Sequence, residues 1–535
     1  MPPRPKTDNT AMRALKKSLK AGAPGQLYVF YGEEAYLRDY YVGQLKQALL
    51  PAGLEDFNLH TAQGKDCSAA WIEQAVDCLP MMSERTLILV TDFDLFGVGE
   101  KDREHLAALF ADLPEYCCLV FAYDLLTYKA DGRSKLAAAV KANGLTVNFQ
   151  RQEYTAQMQL EGYTILAPQM SPIHFEILQP IFKKYGYNVV VLDNDDRSAI
   201  DTGLKYVNND ACFPSITVVG QIMEAVLSGK YDLDHLAVIM TQTGGCCRAS
   251  NYVAFIRRAL QKAGCPQIPV ISVNANGMEK NQGFKFTPGL ILDAIHAIVY
   301  GDLFMRCLYR VRPYELTPGS ADALHEKWKQ IAIDSLTDPK CKLSYAQVCR
   351  GIVEAFDAFP IDETLRKPRV GIVGEILVKY MPLANNHLVQ VLEAEGAEAV
   401  VPDMLDFFNY CLLGGEYRHE FLGAGITADM LAKVGIKSIR AVRQPAIDAL
   451  KKSRRFAPPV PIEKIAEATK PFLSLGNQYG EGWFLAGEMV ELITSGTPNV
   501  ICIQPFACLP NHVVGKGVIK VLKKAYPQAN IAAVD

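Results

Sequence analysis

The stretch LYVFYGEEAYLRDYYVGQLKQALL, residues 27–50, decides the fold of the first part of the chain. Its first five residues are apolar and typical of a buried strand, and the remainder repeats apolar side chains at helical spacing. A second helix is predicted at AAWIEQAVDCLP, 69–80, before the strands TLILV, 86–90, and CCLVFAY, 117–123. Strands that alternate with helices indicate a parallel sheet.

The alternation starts again near residue 164. Strands are predicted at TILAP (164–168), NVVVLD (188–193), LAVIMT (236–241) and IPVISVN (268–274), and later at RVGIVGEI (369–376), AEAVVPD (397–403) and NVICIQP (499–505). A mostly helical stretch, about 287–360, separates the two groups. The predicted class is therefore α/β, with a module at 1–152, an α/β unit with a helical insert at 153–365, and a second α/β unit at 366–535. The chain stops directly after the strand ANIAAVD, 529–535, so we expect the second unit to be truncated at its C-terminus.

Composition sets the broad class. The 535 residues are 49% hydrophobic and 21% charged, with a net charge of −3, which is typical of a soluble globular protein and gives no electrostatic reason for nucleic-acid or membrane binding. No secretory signal and no long apolar run are evident, so a cytoplasmic protein without membrane contact is predicted. In a reducing compartment the 14 cysteines favour metal or redox chemistry over disulfides.

The turn after the first strand contains a glycine before a helix, as a phosphate-binding loop does. Such a loop needs glycines, a lysine and a serine or threonine. Here Gly32 is followed by Glu33 and Glu34, whose negative charges oppose a phosphate. The first module is therefore predicted to be an ATPase-like scaffold with no nucleotide in residues 1–152.

The segments at 27–64, 78–96 and 117–136 resemble the N-terminal domain of the delta subunit of the bacterial DNA polymerase III clamp loader. The resemblance covers nearly all of 12–152. It implies an ATPase-like fold that binds no nucleotide and opens the ring-shaped sliding clamp with an apolar wedge. The wedge corresponds to Met81 and Met82, since methionine is flexible and suits a protein-binding surface. The alternative is that both methionines pack beneath the next strand.

Three places carry cysteines at candidate loops beyond strand ends: Cys212, the pair Cys246 and Cys247 in TQTGGCCRASNY (241–252), and Cys508. Ligands collect at the carboxyl edge of an open α/β sheet, so thiolates that converge there are able to hold an iron-sulfur cluster. Each cysteine taken singly also fits a small buried hydrophobe. A zinc site at Cys508 and His512 would need two further ligands.

Residues 153–535 resemble the 2-hydroxyacyl-CoA dehydratase superfamily, and more closely the dehydratase-like part of long proteins that carry a CoA-dehydratase activase. The resemblance rests on 164–260, on 300–328 and on the motifs around the cysteines. It implies a [4Fe-4S] cluster on Cys212, Cys247 and Cys508, with Cys246 as an additional metal-site thiol. An ATP-dependent activase would supply low-potential electrons, and the substrate would be an acyl-CoA.

Three polar residues near the expected cleft, Gln504, His512 and Glu481, are candidates for orienting the substrate or donating protons. The alternative is that they cap or tie loops. Lys516, in VVGKGVIK at 513–520, is a weak candidate for a CoA phosphate contact.

The two resemblances meet at VNFQRQEYTAQM, 147–158, where no flexible linker is found. The delta-like part lacks further delta domains, and the dehydratase-like part lacks its activase. Two functions follow. The leading one is an iron-sulfur acyl-CoA dehydratase or ATP-dependent reductase component, a lyase-type enzyme. The alternative is a delta-subunit fragment without catalysis, in a chain that is a chimeric or misassembled fusion.

Overall fold

The computed structural model describes residues 10–51, 53–149, 162–194, 196–243, 247–273, 284, 286–423 and 426–535. The chain divides into two compact units. Unit 1 comprises Met1–Gln152 with Ala263–Gln267, and unit 2 comprises Glu153–Lys262 and Ile268–Asp535. The proposed junction of two reading frames at 150–155 lies outside the described residues.

Unit 1 is built on one parallel sheet of five strands in the order β2-β3-β4-β1-β5. Its elements are α1 Thr10–Lys20, β1 Leu27–Tyr31, α2 Ala35–Leu49, α3 Glu55–Asn58, β2 Leu59–Gln63, α4 Ala69–Val76, β3 Thr86–Thr91, α5 Glu100–Ala111, β4 Cys117–Ala122, α6 Lys135–Asn143 and β5 Leu145–Asn148. A short 3-10 turn, Gly64–Asp66, follows β2.

The two faces of the unit 1 sheet are covered by separate apolar clusters. In β1, Leu27 and Val29 belong to one cluster, whereas Tyr28 and Phe30 belong to the other. A central parallel strand buried on both faces explains why its sequence is continuously apolar. Two of the helices begin at serine caps: the Ser68 hydroxyl accepts a hydrogen bond from the Trp71 N–H at the start of α4, and the Ser134 hydroxyl accepts one from the Ala137 N–H at the start of α6.

Unit 2 contains two parallel sheets of four strands. The first has the order β7-β6-β8-β9 and the second β11-β10-β12-β13. The strands are β6 Thr164–Ala167, β7 Asn188–Val191, β8 Leu236–Thr241, β9 Val270–Val273, β10 Arg369–Gly374, β11 Glu398–Val400, β12 Asn499–Ile503 and β13 Asn530–Val534. The fold class predicted from the sequence, α/β with several parallel-sheet units, is confirmed.

The helices of unit 2 are listed in chain order. They are α7 Pro172–Lys184, α8 Arg197–Tyr206, α9 Phe213–Leu227, α10 Tyr252–Lys262, α11 Pro288–Val311, α12 Ser320–Thr337, α13 Tyr345–Asp357, α14 Ile376–Tyr380, α15 Pro382–Asn385, α16 Leu388–Ala394, α17 Met404–Leu422, α18 Ile426–Leu450, α19 Ile462–Thr469, α20 Trp483–Thr494 and α21 Gly517–Ala525. A π-helix, Asn511–Lys516, precedes α21.

The helical stretch between the two groups of strands forms the largest apolar core. Helix α11 contributes buried side chains such as Tyr300, Phe304 and Cys307 to it. By length and composition, one helix of the described part of the chain, Pro288–Tyr314, is able to cross a membrane, and half of its apolar window is buried. The core helix of a soluble protein can have the same length and composition, so this helix does not decide the localisation. A cytoplasmic location stays a prediction.

Candidate functional site

The turn before β3 exposes the two methionines that were predicted as a wedge. The Met82 side chain is 87% exposed and that of Met81 is 56% exposed, and the nearby Leu79 is 71% exposed. Met82 also has a positive φ of 53°, which is uncommon for a residue other than glycine. The alternative that both methionines pack beneath the next strand is therefore wrong.

The loop after β1 closes against the neighbouring edge strand. Gly32 has φ +130°, and a Cβ added there would lie 2.3 Å from the Phe149 carbonyl oxygen. The Glu34 N–H donates to that same carbonyl at 3.0 Å. This backbone N–H is already used by the protein, whereas a phosphate loop keeps such groups directed at its ligand.

In unit 2 three loops that are distant in sequence meet at the predicted cysteines. Cys212 immediately precedes α9, Cys247 precedes a 3-10 turn, Arg248–Asn251, beyond β8, and Cys508 follows β12. The Phe213 N–H donates to the Phe506 carbonyl at 3.0 Å, and the Arg248 guanidinium donates to the Ala507 carbonyl at 2.7 Å. These bonds attach the Cys508 loop to both of the other loops.

The thiols lie in partly apolar surroundings. Cys212 and Cys508 pack in one small buried cluster with Tyr252, and the Tyr252 hydroxyl is 3.5 Å from the Cys212 sulfur. The Asn511 side-chain amide donates to the Cys508 sulfur at 3.2 Å. Burial, followed by the charge of Glu481, raises the pKa of the Cys247 thiol to about 12 and also raises that of Cys508.

Two buried carboxyl groups border the cysteines. Glu481 accepts hydrogen bonds from the Ile376 N–H at 3.0 Å and from the Asn511 amide at 3.1 Å. The Glu375 carboxyl accepts from the Val378 N–H at the start of α14. Burial, followed by the charge of Glu481, raises the pKa of Glu375 to about 8, and burial also raises the pKa of Glu481.

The three predicted polar residues occupy different places. Glu481 reaches the cysteines through Asn511, as described above. The Gln504 side-chain amide donates to the sulfur of Cys502 at 2.7 Å, and its buried carbonyl oxygen has no partner among the described atoms. The backbone N–H of His512 donates to the Cys508 carbonyl at 3.1 Å. The Lys516 ammonium lies 3.4 Å from the Asp535 carboxylate.

One part of the cysteine prediction is wrong, and another part concerns a residue that the structure does not describe. Cys212 follows helix α8 and a short loop, so the expectation that it lies at a strand end is wrong; an α8–α9 pair intervenes between β7 and β8. Cys246 lies outside the described residues. Within the part of the chain that the structure describes, no three His, Cys, Asp or Glu side chains stand close enough to hold one metal ion.

The donor set nevertheless fits an iron-sulfur cluster in chemical kind. Three cysteines lie on three loops that hydrogen bonds join, and thiolate is the usual protein ligand of such clusters. In a four-iron cluster each cysteine binds a different iron, so its ligands stand wider apart than those of a single ion. The absence of a site for a single ion among the described residues therefore does not exclude a cluster.

Comparison with known proteins bears on unit 1. Residues 28–150 match the family model of the DNA polymerase III delta subunit. The DNA polymerase III subunit delta of Bacillus subtilis (strain 168) is 31% identical over 133 residues, which cover 23% of this chain and 37% of that protein. The chain thus spans little more than a third of this curated relative. The part at 28–150 is called the delta-like region below.

Two solved structures are similar over longer stretches but with low scores. The Bacillus subtilis DNA clamp loader delta protein has 14% identity and a TM-score of 0.26, covering 85% of this chain and 91% of that one. A DNA polymerase III gamma subunit-related protein from Thermotoga maritima has 11% identity and a TM-score of 0.20, covering 64% and 98%. Scores this low do not establish a common fold.

Several residues of both sites were missed at the level of sequence. No sequence motif marks them, because an isolated amide, phenol or carboxyl has no distinctive pattern; they are Asn58, Asn511, Tyr252 and Glu375. Asn511 had a detectable signal, since it follows Cys508 by three residues and so lies one helical turn away. Glu375 directly follows the carboxyl end of β10, an edge where ligand-binding residues collect.

Proposed function

We propose that the delta-like region binds a ring-shaped sliding clamp and that Met81 and Met82 form the apolar contact. The observation that carries this proposal is the exposure of Met82, 87%, on a turn of left-handed backbone. Leu79, Met81 and Met82 are exposed together on this one turn, and contiguous exposed apolar side chains are typical of an interaction surface. The family match over 28–150 supports a clamp-loader partner.

The energy expected from this contact is substantial. Burying a methionine side chain contributes about 1.5–3 kcal/mol, and a free-energy change of about 1.4 kcal/mol alters a dissociation constant tenfold. The double change Met81→Ala and Met82→Ala should therefore weaken clamp binding by at least about tenfold. Because both side chains are exposed, the same change should leave the thermal stability of the chain nearly unaltered.

The test measures binding of the full chain to the purified sliding clamp of Bacillus subtilis by surface plasmon resonance. A matched control changes Leu125 and Leu126 to alanine. These leucines are 82% and 45% exposed and follow the carboxyl end of β4, whereas the methionine turn precedes the amino end of the neighbouring parallel strand β3. Equal affinity of the wild type and the methionine variant, or equal losses in both double variants, would contradict the proposal.

We propose a second function for unit 2: Cys212, Cys247 and Cys508 hold a [4Fe-4S] cluster in an acyl-CoA dehydratase or reductase component. The hydrogen bonds that attach the Cys508 loop to the other two cysteine loops favour it. A bound cluster would supply electron transfer and an open iron that acts as a Lewis acid on a substrate oxygen. The electron donor would be an ATP-dependent activase.

In that site the protein's own residues would position the cysteine ligands and surround them with buried side chains. The Asn511 amide donates to the Cys508 sulfur, and such a bond stabilises a thiolate and orients it. Glu481 holds that amide in place, while its other carboxyl oxygen accepts the Ile376 N–H. Tyr252 would place a buried aromatic ring beside Cys212 and Cys508, with which it forms one apolar cluster.

Anaerobic reconstitution of the full chain with iron and sulfide tests this second proposal. We expect a brown protein with broad visible absorption and bound iron, both lost when Cys212, Cys247 and Cys508 are changed to serine. A control with Cys67, Cys78 and Cys341 changed to serine removes three other partly exposed thiols and should keep the colour. A colourless wild-type protein would exclude the cluster.

A further inference from the structure

A buried asparagine holds the exposed methionine turn from behind. Asn58 ends α3 and is 0% exposed. Its side-chain carbonyl accepts the Met81 N–H at 2.7 Å, and its side-chain NH₂ donates to the Met81 carbonyl at 2.9 Å. The same NH₂ group donates to the Leu54 carbonyl at 3.0 Å. One side chain therefore satisfies both backbone groups of Met81.

This bracket explains how the turn keeps its conformation. Met81 lies between α4 and β3, outside both elements, so no regular ladder of hydrogen bonds is available to it. Met82 adopts φ 53°, and a bulky residue keeps such a conformation only where its surroundings impose it. Two hydrogen bonds to one residue define both the position and the rotation of its peptide groups.

We propose that Asn58 is a positioning residue for clamp binding, which holds Met81 and Met82 in the bound conformation before the partner arrives. The inference rests on the proposed function of the delta-like region. Without the bracket the turn would populate the competent conformation for only a fraction of the time. The apparent affinity then falls by that fraction, even though every contacting atom is still present.

Kinetics separate positioning from a merely structural role. If the bound conformation is selected from an ensemble, loss of the bracket lowers the association rate constant and leaves the dissociation rate constant almost unchanged. A contact residue behaves differently, since removing Met82 itself should mainly raise the dissociation rate constant. General loss of stability would lower the fraction of active protein without altering either constant.

The experiment uses the full chain, the Bacillus subtilis sliding clamp and surface plasmon resonance. For Asn58→Ala we expect the association rate constant to fall about tenfold or more, with the dissociation rate constant within about twofold of the wild type. Asn58→Asp, which keeps the acceptor for the Met81 N–H but loses the donor, should lie between the two. Amide exchange at Met81 should accelerate in Asn58→Ala.

The control is Asp92→Ala. One carboxylate oxygen of Asp92 accepts the N–H groups of Asp124, Leu125 and Leu126 at 2.8–3.0 Å, and so brackets an exposed apolar turn at the carboxyl ends of the strands. Its loss should leave both rate constants for the clamp unchanged. If Asn58→Ala unfolds, the rate constants and the amide exchange at Met81 are both measured in Asn58→Asp, which should show the same changes to a smaller degree.

The possible failures are distinguishable. If the wild type binds and the methionine variant does not, but Asn58→Ala and Asn58→Asp keep wild-type association rates, the positioning role alone is overturned. If the wild type and the methionine variant bind equally, the proposed function fails first. Unchanged amide exchange at Met81 in Asn58→Ala would overturn the bracket itself.

Discussion

Lys379 and Glu488 form an ion pair inside unit 2, with 2.7 Å between Nζ and Oε1 and each side chain 2% exposed. Burial raises the pKa of Glu488 to about 7, although the nearby Lys379 charge acts in the opposite direction. Between pH about 4.5 and about 7 the folded protein therefore holds a proton that the unfolded chain has released. The contribution of Glu488 to stability therefore falls as the pH rises through this window.

Glu488→Gln tests that linkage. The free energy of unfolding of the variant minus that of the wild type should increase with pH between about 5 and 7, by up to about 1.4 kcal/mol per pH unit, and then level off. The measurement is urea unfolding followed by tryptophan fluorescence in a Trp71→Phe background, so that only Trp328 and Trp483 of unit 2 report. As a control, Glu467→Gln removes an exposed partner of Lys470 and should give a flat difference. A flat difference for Glu488→Gln would contradict the assignment.

At the residue scale the family resemblance implied that Met81 and Met82 are exposed as a wedge, whereas the residue pattern alone left open that they are buried. Periodicity and composition do not distinguish a methionine under a strand from one on a turn, because both positions follow a helix and precede a strand. In the folded chain the turn is held by Asn58, which is 23 residues from Met81 in sequence and makes two hydrogen bonds to its backbone. Such a long-range side-chain contact leaves no local pattern.

At the element scale, helices α8 and α9 approach each other very closely, and Cys212 lies in the loop between them. A Cβ added at Gly220 would lie 1.8 Å from the Ala199 carbonyl oxygen, and one at Gly203 would lie 2.1 Å from the Ile216 carbonyl oxygen. Only glycine permits this separation of the two backbones. The N-terminal end of α9, which carries Cys212, therefore depends on two glycines.

Gly220→Ala should separate the two helices and destabilise unit 2 by about 2–3 kcal/mol, as overpacking does elsewhere. It should also reduce iron incorporation on reconstitution, because Cys212 moves with α9. Gly414→Ala is the matched control: a Cβ there would have its nearest neighbour at 3.6 Å, and alanine should stabilise the helix by up to about 1 kcal/mol. Thermal unfolding of the two glycine variants in the same Trp71→Phe background measures their stability. Equal melting temperatures for Gly220→Ala and the wild type would contradict the close packing.

Most elements follow from apolar pattern, and the exceptions have a physical cause. LAVIMT predicted β8 at Leu236–Thr241 with the observed bounds, because a strand buried on both faces is continuously apolar. β2, Leu59–Gln63, was missed because its sequence LHTAQ is only partly buried at the edge of its sheet. The α8–α9 pair was not foreseen as a close contact, since glycines in helices also mark ends and turns.

At the scale of the whole molecule, the sequence predicted parallel sheets but not how loops would associate. The approach of Cys508 to Cys212 depends on hydrogen bonds between loops almost 300 residues apart in the chain, such as that from Phe213 to Phe506. No spacing rule contains that information. The cluster, the acyl-CoA substrate and the fusion of two reading frames stay predictions, while the delta-like region is supported by the family match over 28–150.

The central claim is that the delta-like region contacts a sliding clamp through the turn that carries Met81 and Met82. Hydrogen–deuterium exchange of the full chain, with and without saturating Bacillus subtilis sliding clamp, tests it most directly. We expect slower exchange of the amides at 79–84 in the complex and no change at 124–127, the exposed turn at the carboxyl end of β4. Protection at 124–127 without protection at 79–84, or none in either segment, would contradict it.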